Sequence, residues 1–416
     1  MTASSSLDPL AARAVSVVFV LLLVVSSAGC TGLVGVTDTD PELPDRAEAR
    51  ERTESLETLT ATVTTVRRVD GTTTRTVAEN TQRFDPIGFR SRVVSVEPAN
   101  ETRTTVGDLT VTNASGTALY SPERGTLSYL TGPGNRNTND SQESPYVDMI
   151  VAARTDEAIP RPTPGVPSLP RAPRSSASDD ENASATSREH RVTVAYNGTE
   201  TVDGRETYRL EVDPVSPTAS LKDQTVWLDT EYLYPIEQRV EFVAFGDRYE
   251  YRTIHRNVTF NPSLPPDTFE LDRAELPGDV TVTTFRSYES RTALAENVSM
   301  PVPDPDLPDG YELTRTTHRS DDPELVSLTY NVRDDEQPIR LSVIRLGTDI
   351  DPRPRNGTVR VGEQNATLSE FDGEPELRWR ADGYAYSVSG PVDEATLTRI
   401  ARSVAESVRE SPTRDE

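Results

Sequence analysis

From Leu59 onward the chain alternates apolar and hydroxyl-bearing side chains, and this period of two constrains the fold more than any other feature. Leu59, Ala61, Val63 and Thr65 are interleaved with threonines. Side chains at that spacing point to opposite faces of a strand, and β-branched residues suit a half-buried pleated surface. Asp70-Gly71 supplies the left-handed backbone of a tight hairpin, so Arg75–Arg83 is expected to return antiparallel. Short alternating runs follow at Phe89–Val96, Thr102–Thr105, Asp108–Asn113, Thr117–Ser121 and Thr126–Leu130. Patterning resumes at Arg191–Tyr196, then Tyr208, Leu210 and Val212, then Val226–Asp229. Two longer runs, Ile236–Phe245 and Tyr249–Phe260, are joined by Gly246-Asp247, a second hairpin signal. The spacing predicts a meandering antiparallel sheet. Few helices interrupt it: one from Arg46 to Leu56 capped by Asp45, and one or two turns over Tyr146–Ala153.

After Pro262, Pro265 and Pro266 the pattern stops, and a second unit is expected over residues 295–410. Leu307-Pro308-Asp309-Gly310-Tyr311 leads to alternating segments at Leu325–Tyr330, Ile339–Arg345, Asn356–Val361, Glu376–Trp379 and Tyr384–Gly390. Val392–Val408 reads as an amphipathic helix with Leu397, Ile400, Ala401 and Val404 on one face. The fold class is α+β in both units.

Several of these residues carry a family resemblance. A helix entering a long run of strands is followed by Val226-Trp227-Leu228-Asp229, then Asn257-Val258-Thr259-Phe260-Asn261-Pro262, then Leu264-Pro265-Pro266-Asp267-Thr268-Phe269. This order resembles the LolA-like outer-membrane lipoprotein-sorting proteins, in which a "VWLD" strand precedes an "FNP…LP…F" ending. The resemblance covers roughly residues 46–272. It implies a curved antiparallel sheet, an incomplete β-barrel, whose concave face and helical lid accept acyl chains. The long segment at 132–188 departs from the compact carriers. The C-terminal order, "LPDGY … LRW … YSVSG … helix", is similar to a small domain of unknown function found beside LolA-like or sigma-regulator-like regions.

Upstream of the sheet, an apolar run from Ala14 to Val25 ends in Ser27-Ala28-Gly29-Cys30, the only cysteine. A bilayer crossing needs about 20 apolar residues, so the run is too short to span one. It reads as a secretory signal with a lipoprotein cleavage site, although Ser27 stands where bacterial sites usually carry leucine. Cys30 is the expected lipid-attachment residue, and no intrachain disulfide is possible. The expected organisation is a signal peptide at 1–29, a lipidated tether at 30–44, a LolA-like domain at 45–275 with a flexible Pro- and Ser-rich insert at 132–188, and a C-terminal domain at 295–410. An exported chain can be glycosylated at Asn-x-Ser/Thr, and Asn100, Asn113, Asn139, Asn182, Asn197, Asn257, Asn297, Asn356 and Asn365 fit that rule.

The formal charge is −25, and Lys222 is the one lysine among 43 basic residues. An acidic, lysine-poor surface resembles proteins of salt-loving archaea, where concentrated salt shortens the Debye length to about 3 Å and screens self-repulsion. The sequence offers no basic patch to meet phosphates, so nucleic acid is not an expected partner.

Chemistry-bearing motifs are missing from the sequence. His190, His255 and His318 are far apart and fit no zinc-ligand spacing. There is no Gly-x-Ser-x-Gly elbow, and Gly132-Pro133-Gly134 lacks the third glycine of a dinucleotide loop. Asp304, Asp306 and Asp309 are misplaced for a calcium loop and lie among prolines, as in a linker. Neither an enzyme nor a cofactor is expected. The leading expectation is a lipid-anchored protein on the outer face of the cell membrane that binds lipid or lipoprotein acyl chains. The alternative is an envelope sensor that binds another protein without lipid.

Overall fold

The computed structural model describes residues 42–98, 104–133, 144–161, 191–244, 246–332, 339–345, 358–371 and 374–410. The signal peptide, Cys30, the tether up to residue 41, Asn100, Asn139, Asn182, His190, Asn356 and most of the 132–188 insert lie outside these residues. No helix among the described residues is long and apolar enough to cross a membrane.

Alternation produces strands almost throughout. In chain order they are β1 (Thr58–Val69), β2 (Thr72–Arg83), β3 (Gly88–Glu97), β4 (Leu109–Asn113), β5 (Gly116–Ser121), β6 (Thr126–Thr131), β7 (Ile159–Pro160), β8 (Arg191–Val202), β9 (Arg205–Pro214) and β10 (Leu221–Asp229). Then come β11 (Pro235–Ala244), β12 (Asp247–Phe260), β13 (Thr281–Ser287), β14 (Tyr311–Arg319), β15 (Leu325–Val332), β16 (Ile339–Arg345), β17 (Thr358–Val361), β18 (Gln364–Phe371), β19 (Glu374–Ala381) and β20 (Tyr384–Ser389). All twenty form one open ladder. It runs β7-β8-β9-β10-β11-β12-β1-β2-β3-β4-β5-β6-β13-β14-β15-β16-β20-β19-β18-β17. Every pairing is antiparallel except β6 with β13. The α+β class is as expected, with four α-helices among the described residues on an unclosed sheet: α1 (Arg46–Glu54), α2 (Pro145–Thr155), α3 (Arg291–Asn297) and α4 (Glu394–Glu410).

Both hairpin signals operate as expected. Asp70 and Gly71 have φ of 48° and 79°, and Val69 pairs Thr72 across them. At the second, Ala244 pairs Asp247 and Gly246 has φ of 87°. The expected strand at Thr102–Thr105 is absent where it is described: Thr104 and Thr105 lie outside any strand, and the Thr105 amide and hydroxyl both donate to the Asp108 carboxylate at 2.8 Å. Four strands, β7, β13, β14 and β18, lie where sequence patterning named none, β7 within the segment expected to be a flexible insert. Mixed threonines and charges in Thr281–Ser287 and Tyr311–Arg319 hide their alternation.

β13 is the joint of the sheet. The chain leaves β12 at Phe260 and crosses the face of the sheet opposite the helices. There Asn113 Nδ2 donates to the Phe269 carbonyl at 2.9 Å, and Arg90 donates to the carbonyls of Thr268 and Glu270 at 3.3 and 3.2 Å. The Phe269 ring occupies the space beside Gly88 where a Cβ would stand, within 2.6–2.9 Å. The chain then re-enters beside β6, and that crossing makes the pairing parallel. A Cβ on Gly132, at φ of 99°, would lie 2.1 Å from the Ser287 carbonyl oxygen, so only glycine lets the two backbones meet there.

The C-terminal half has a closed core. Asp393 caps α4 through the Thr396 amide at 2.7 Å, and Leu397, Ile400, Ala401 and Val404 are fully buried against β15, β16, β19 and β20. Trp379 and Tyr386 stack beneath them at 5.4 Å. Asp304 and Asp306 bind down the outside of α4: their amides donate to the hydroxyls of Ser407 and Ser403 at 3.1 and 2.8 Å. Two residues of extended chain advance about 6.6 Å and four of helix about 6 Å, so the two spacings match.

Candidate functional site

The register fixes which residues of the first half share a face. α2 buries Val147, Met149 and Ile150 in one cluster with Val194, Leu210, Val212, Val226 and Leu228 of β8–β10. Following paired residues from there, the same face carries Val240 and Phe242 of β11, Tyr249, Tyr251 and His255 of β12, Val63 and Thr65 of β1, and Ala78 and Asn80 of β2. It continues through Ser91, Thr110, Leu119 and Ser128 to β13.

Charge separates the two faces. Every Arg and Glu of β12 and β1–β3 except Arg67 lies opposite the helices, and β4–β6 carry none. On that opposite face Glu237 takes Arg252 in a two-pronged ion pair at 2.8 and 3.0 Å and Arg239 at 2.8 Å. Burial would raise the Glu237 carboxyl, but these two guanidiniums outweigh it and hold it below its ordinary value. Trp227 lies beside this ladder, with the Arg239 guanidinium 4.9 Å from its ring and Nε1 donating to Glu200 at 2.7 Å.

The helix-bearing face is unevenly covered. Under α2 the chain's own side chains fill it, so that part is a core. At the end nearest α1, Tyr234 joins Phe84, Phe260 and His255 in an aromatic cluster at 5.2–6.4 Å. The Tyr234 hydroxyl and His255 Nε2 are 3.3 Å apart. Burial pushes His255 down to about 4, against the opposing pull of the Ile236 backbone carbonyl, and pushes the Tyr234 hydroxyl well above its ordinary value. Both groups are therefore neutral at physiological pH. At the far end, Phe242 stacks on Tyr249 at 5.1 Å and on Tyr251 at 5.9 Å, and the Arg67 guanidinium lies 5.8 Å from the Tyr249 ring. These rings are only half-buried.

The motifs that carry the resemblance act as joints in this chain. Asp229, 2% exposed, accepts from the amides of Glu231 and Tyr232 and pairs Arg205 at 2.9 Å, whose guanidinium lies 4.2 Å from the Phe260 ring. Asn261, at φ of 52°, accepts from the Glu57 and Thr58 amides and donates to the Ser55 carbonyl, locking α1 to β1. The aromatic stack at the far end escaped sequence reading, because Phe242, Tyr249 and Tyr251 belong to two strands and only the hairpin register brings them together.

Other residues singled out in the sequence are dispersed. His255 is on β12, while His318 of β14 pairs Glu324 at 2.8 Å. Among the acceptor asparagines, Asn197, Asn257 and Asn365 are exposed on β8, β12 and β18. Asn113 is held by Phe269 and Ser115, and Asn297 Nδ2 donates to the Ala293 carbonyl at 2.8 Å. Asp304 and Asp306 pair Arg291 and Arg399 at 2.9 and 3.5 Å.

No protein-family model and no curated protein matches the chain. Among solved structures it is similar to a chain of the Pseudomonas aeruginosa MucA/MucB complex, at 15% identity and TM-score 0.31, covering 86% of this chain and 97% of that one. It is also similar to the Mycobacterium tuberculosis lipoprotein LppX, at 11% identity and TM-score 0.28, over 53% and 94% of the two chains. A LolA superfamily protein from Nitrosomonas europaea matches at 9% identity and TM-score 0.24, over 55% and 99%. At these values the reading of the site stands on the chain's own residues.

Proposed function

We propose that the chain is an exported lipoprotein, anchored through Cys30 to the outer face of the membrane, whose first half binds the apolar part of a lipid or an acylated protein on its helix-bearing face. One observation supports this reading above the others. The face is free of charge across β1–β6 but for Arg67, in a chain with 68 acidic residues, and it ends in three stacked rings that the helices leave half-buried. Burying a methylene of an acyl chain there gains roughly 0.8 kcal/mol, and polar side chains alongside fix its orientation. The reading requires no catalysis: the facing His255 and Tyr234 are both held neutral by burial.

The test is native mass spectrometry with lipid extraction on the full chain purified from its own cells. A bound lipid at one per chain supports binding. A lipid-free protein that captures a specific membrane protein replaces this reading with the interaction module. Separately, Cys30→Ser is expected to move the protein from the membrane fraction to the soluble fraction, and full retention would sink the anchor.

A further inference from the structure

We infer that the far end of this face recognises a neutral, polyhydroxylated headgroup of an amphiphile, a glycosyl group rather than an anionic or cationic one. The inference rests on the apolar-binding reading above and specifies the ligand class of the same site. Three observations carry it.

The first is a buried amide with no partner. Gln224 of β10 is 0% exposed, and neither its Oε1 nor its Nε2 has a hydrogen-bond partner. Leaving such a group unpaired costs about 1–3 kcal/mol, so its presence on a binding face points to a ligand that supplies both a donor and an acceptor. A hydroxyl does both, whereas a carboxylate or phosphate only accepts and a quaternary ammonium does neither.

The second is what the register sets beside it. Gln224 pairs Val240, which pairs Tyr251, and one step along the strands lies a row of Gln238, Thr253 and Thr65. These neighbours are half-buried and uncharged. Amides and hydroxyls therefore converge at the level where the apolar core under α2 gives out. Asn80 repeats the pattern further along the face: it is 8% exposed and its Oδ1 has no partner.

The third is the flat aromatic platform. Phe242 and Tyr249 are nearly parallel, at 4°. The face of a sugar ring carries polarised C–H bonds that suit the negative face of an aromatic ring, while its rim presents hydroxyls to the amides. On this face the register sets Arg67 at the rim and Asp247 at the start of β12, and Lys222 of β10 donates to the Ala219 carbonyl at 2.8 Å, so among the described residues no cluster of cations is placed to hold an anion.

The experiment is calorimetric titration of the full chain with four probes: dodecyl maltoside, dodecanoate and dodecyltrimethylammonium, each below its micelle concentration, and maltose. The expected result is maltoside binding at least ten-fold tighter than either charged probe and than maltose. A chain of charge −25 attracts one charged probe and repels the other, so a neutral winner cannot come from net charge. Gln224→Leu, which removes an unpaired amide and is expected to fold, should cut maltoside affinity about ten-fold and leave dodecanoate unchanged. Tyr249→Ala should do the same by removing the platform. Equal binding of all three dodecyl probes overturns headgroup recognition and leaves the apolar site standing. Binding of none overturns both. Maltose binding as tightly as maltoside overturns the amphiphile and the apolar site with it.

Discussion

The two halves of this sheet treat their helix-bearing faces differently. In the C-terminal half, α4 presents a continuous apolar stripe, and every residue of that stripe is buried against the strands. In the first half, α1 buries only Ala49, α2 covers the β8–β10 region, and the face runs on beyond them as half-buried threonines, amides and rings. A sheet that needs only stability is closed by one long amphipathic helix. A sheet covered by two short helices over part of its width retains surface for something else.

That contrast can be broken or sharpened by experiment. The largest effect is expected at Ile400→Ala, where the cavity should cost about 2–5 kcal/mol in denaturant unfolding. A cost under about 1 kcal/mol would mean that α4 does not close the core.

Acidification should act next, and on the first half. His255 takes up a proton at about 4 when folded and near its ordinary 6.5 when unfolded. As pH falls from 6.5 to 4 the unfolded chain gains a proton that the native chain refuses, so stability declines through that window, by roughly 3 kcal/mol in full. His255→Gln should flatten the slope of unfolding free energy between pH 7 and 4.5, and an unchanged slope would rule this histidine out as its source.

Asn261→Ala removes three hydrogen bonds at the α1–β1 junction and should cost about 1–3 kcal/mol, seen as faster hydrogen exchange in Thr58–Val63. The smallest stability effect is expected at Tyr249→Ala, under about 1 kcal/mol, because its ring is half-exposed and its area burial is partial. A loss as large as that at Ile400 would make the stack a core and erase the difference between the halves.

Much of this fold is legible one strand at a time. The two-residue period marked β1, β8 and β12, the Asp-Gly and Gly-Asp turns marked their hairpins, and Leu397, Ile400, Ala401 and Val404 marked the face of α4. What stayed hidden depends on partners distant in sequence. β13 is legible only from β6, about 150 residues earlier, because its own threonines give little contrast between faces. The site was half legible: His255 and the late-strand apolar residues were visible as types, but neither the stack at Phe242 nor the isolation of Gln224 exists until four strands are set in register. The "VWLD" and "FNP" residues were legible as motifs, and the structure assigns their polar members to turns and junctions because Asp229 and Asn261 satisfy backbone amides that strand pairing leaves over.

The ladder's two ends have a consequence for how the molecule behaves in a crowded suspension of its own copies. An open sheet has two rows of unpaired amides and carbonyls, each a template on which another chain could add a strand. Here the outermost strands are short, two residues in β7 and four in β17. Among the described residues β7 covers β8 only at Arg191 and Val192, whereas β6, the outermost strand of the meander, is covered along its length by β13 of the same chain. In a protein whose charge repulsion fades in salt, the order of the strands thereby removes β6 as a template for edge-to-edge pairing.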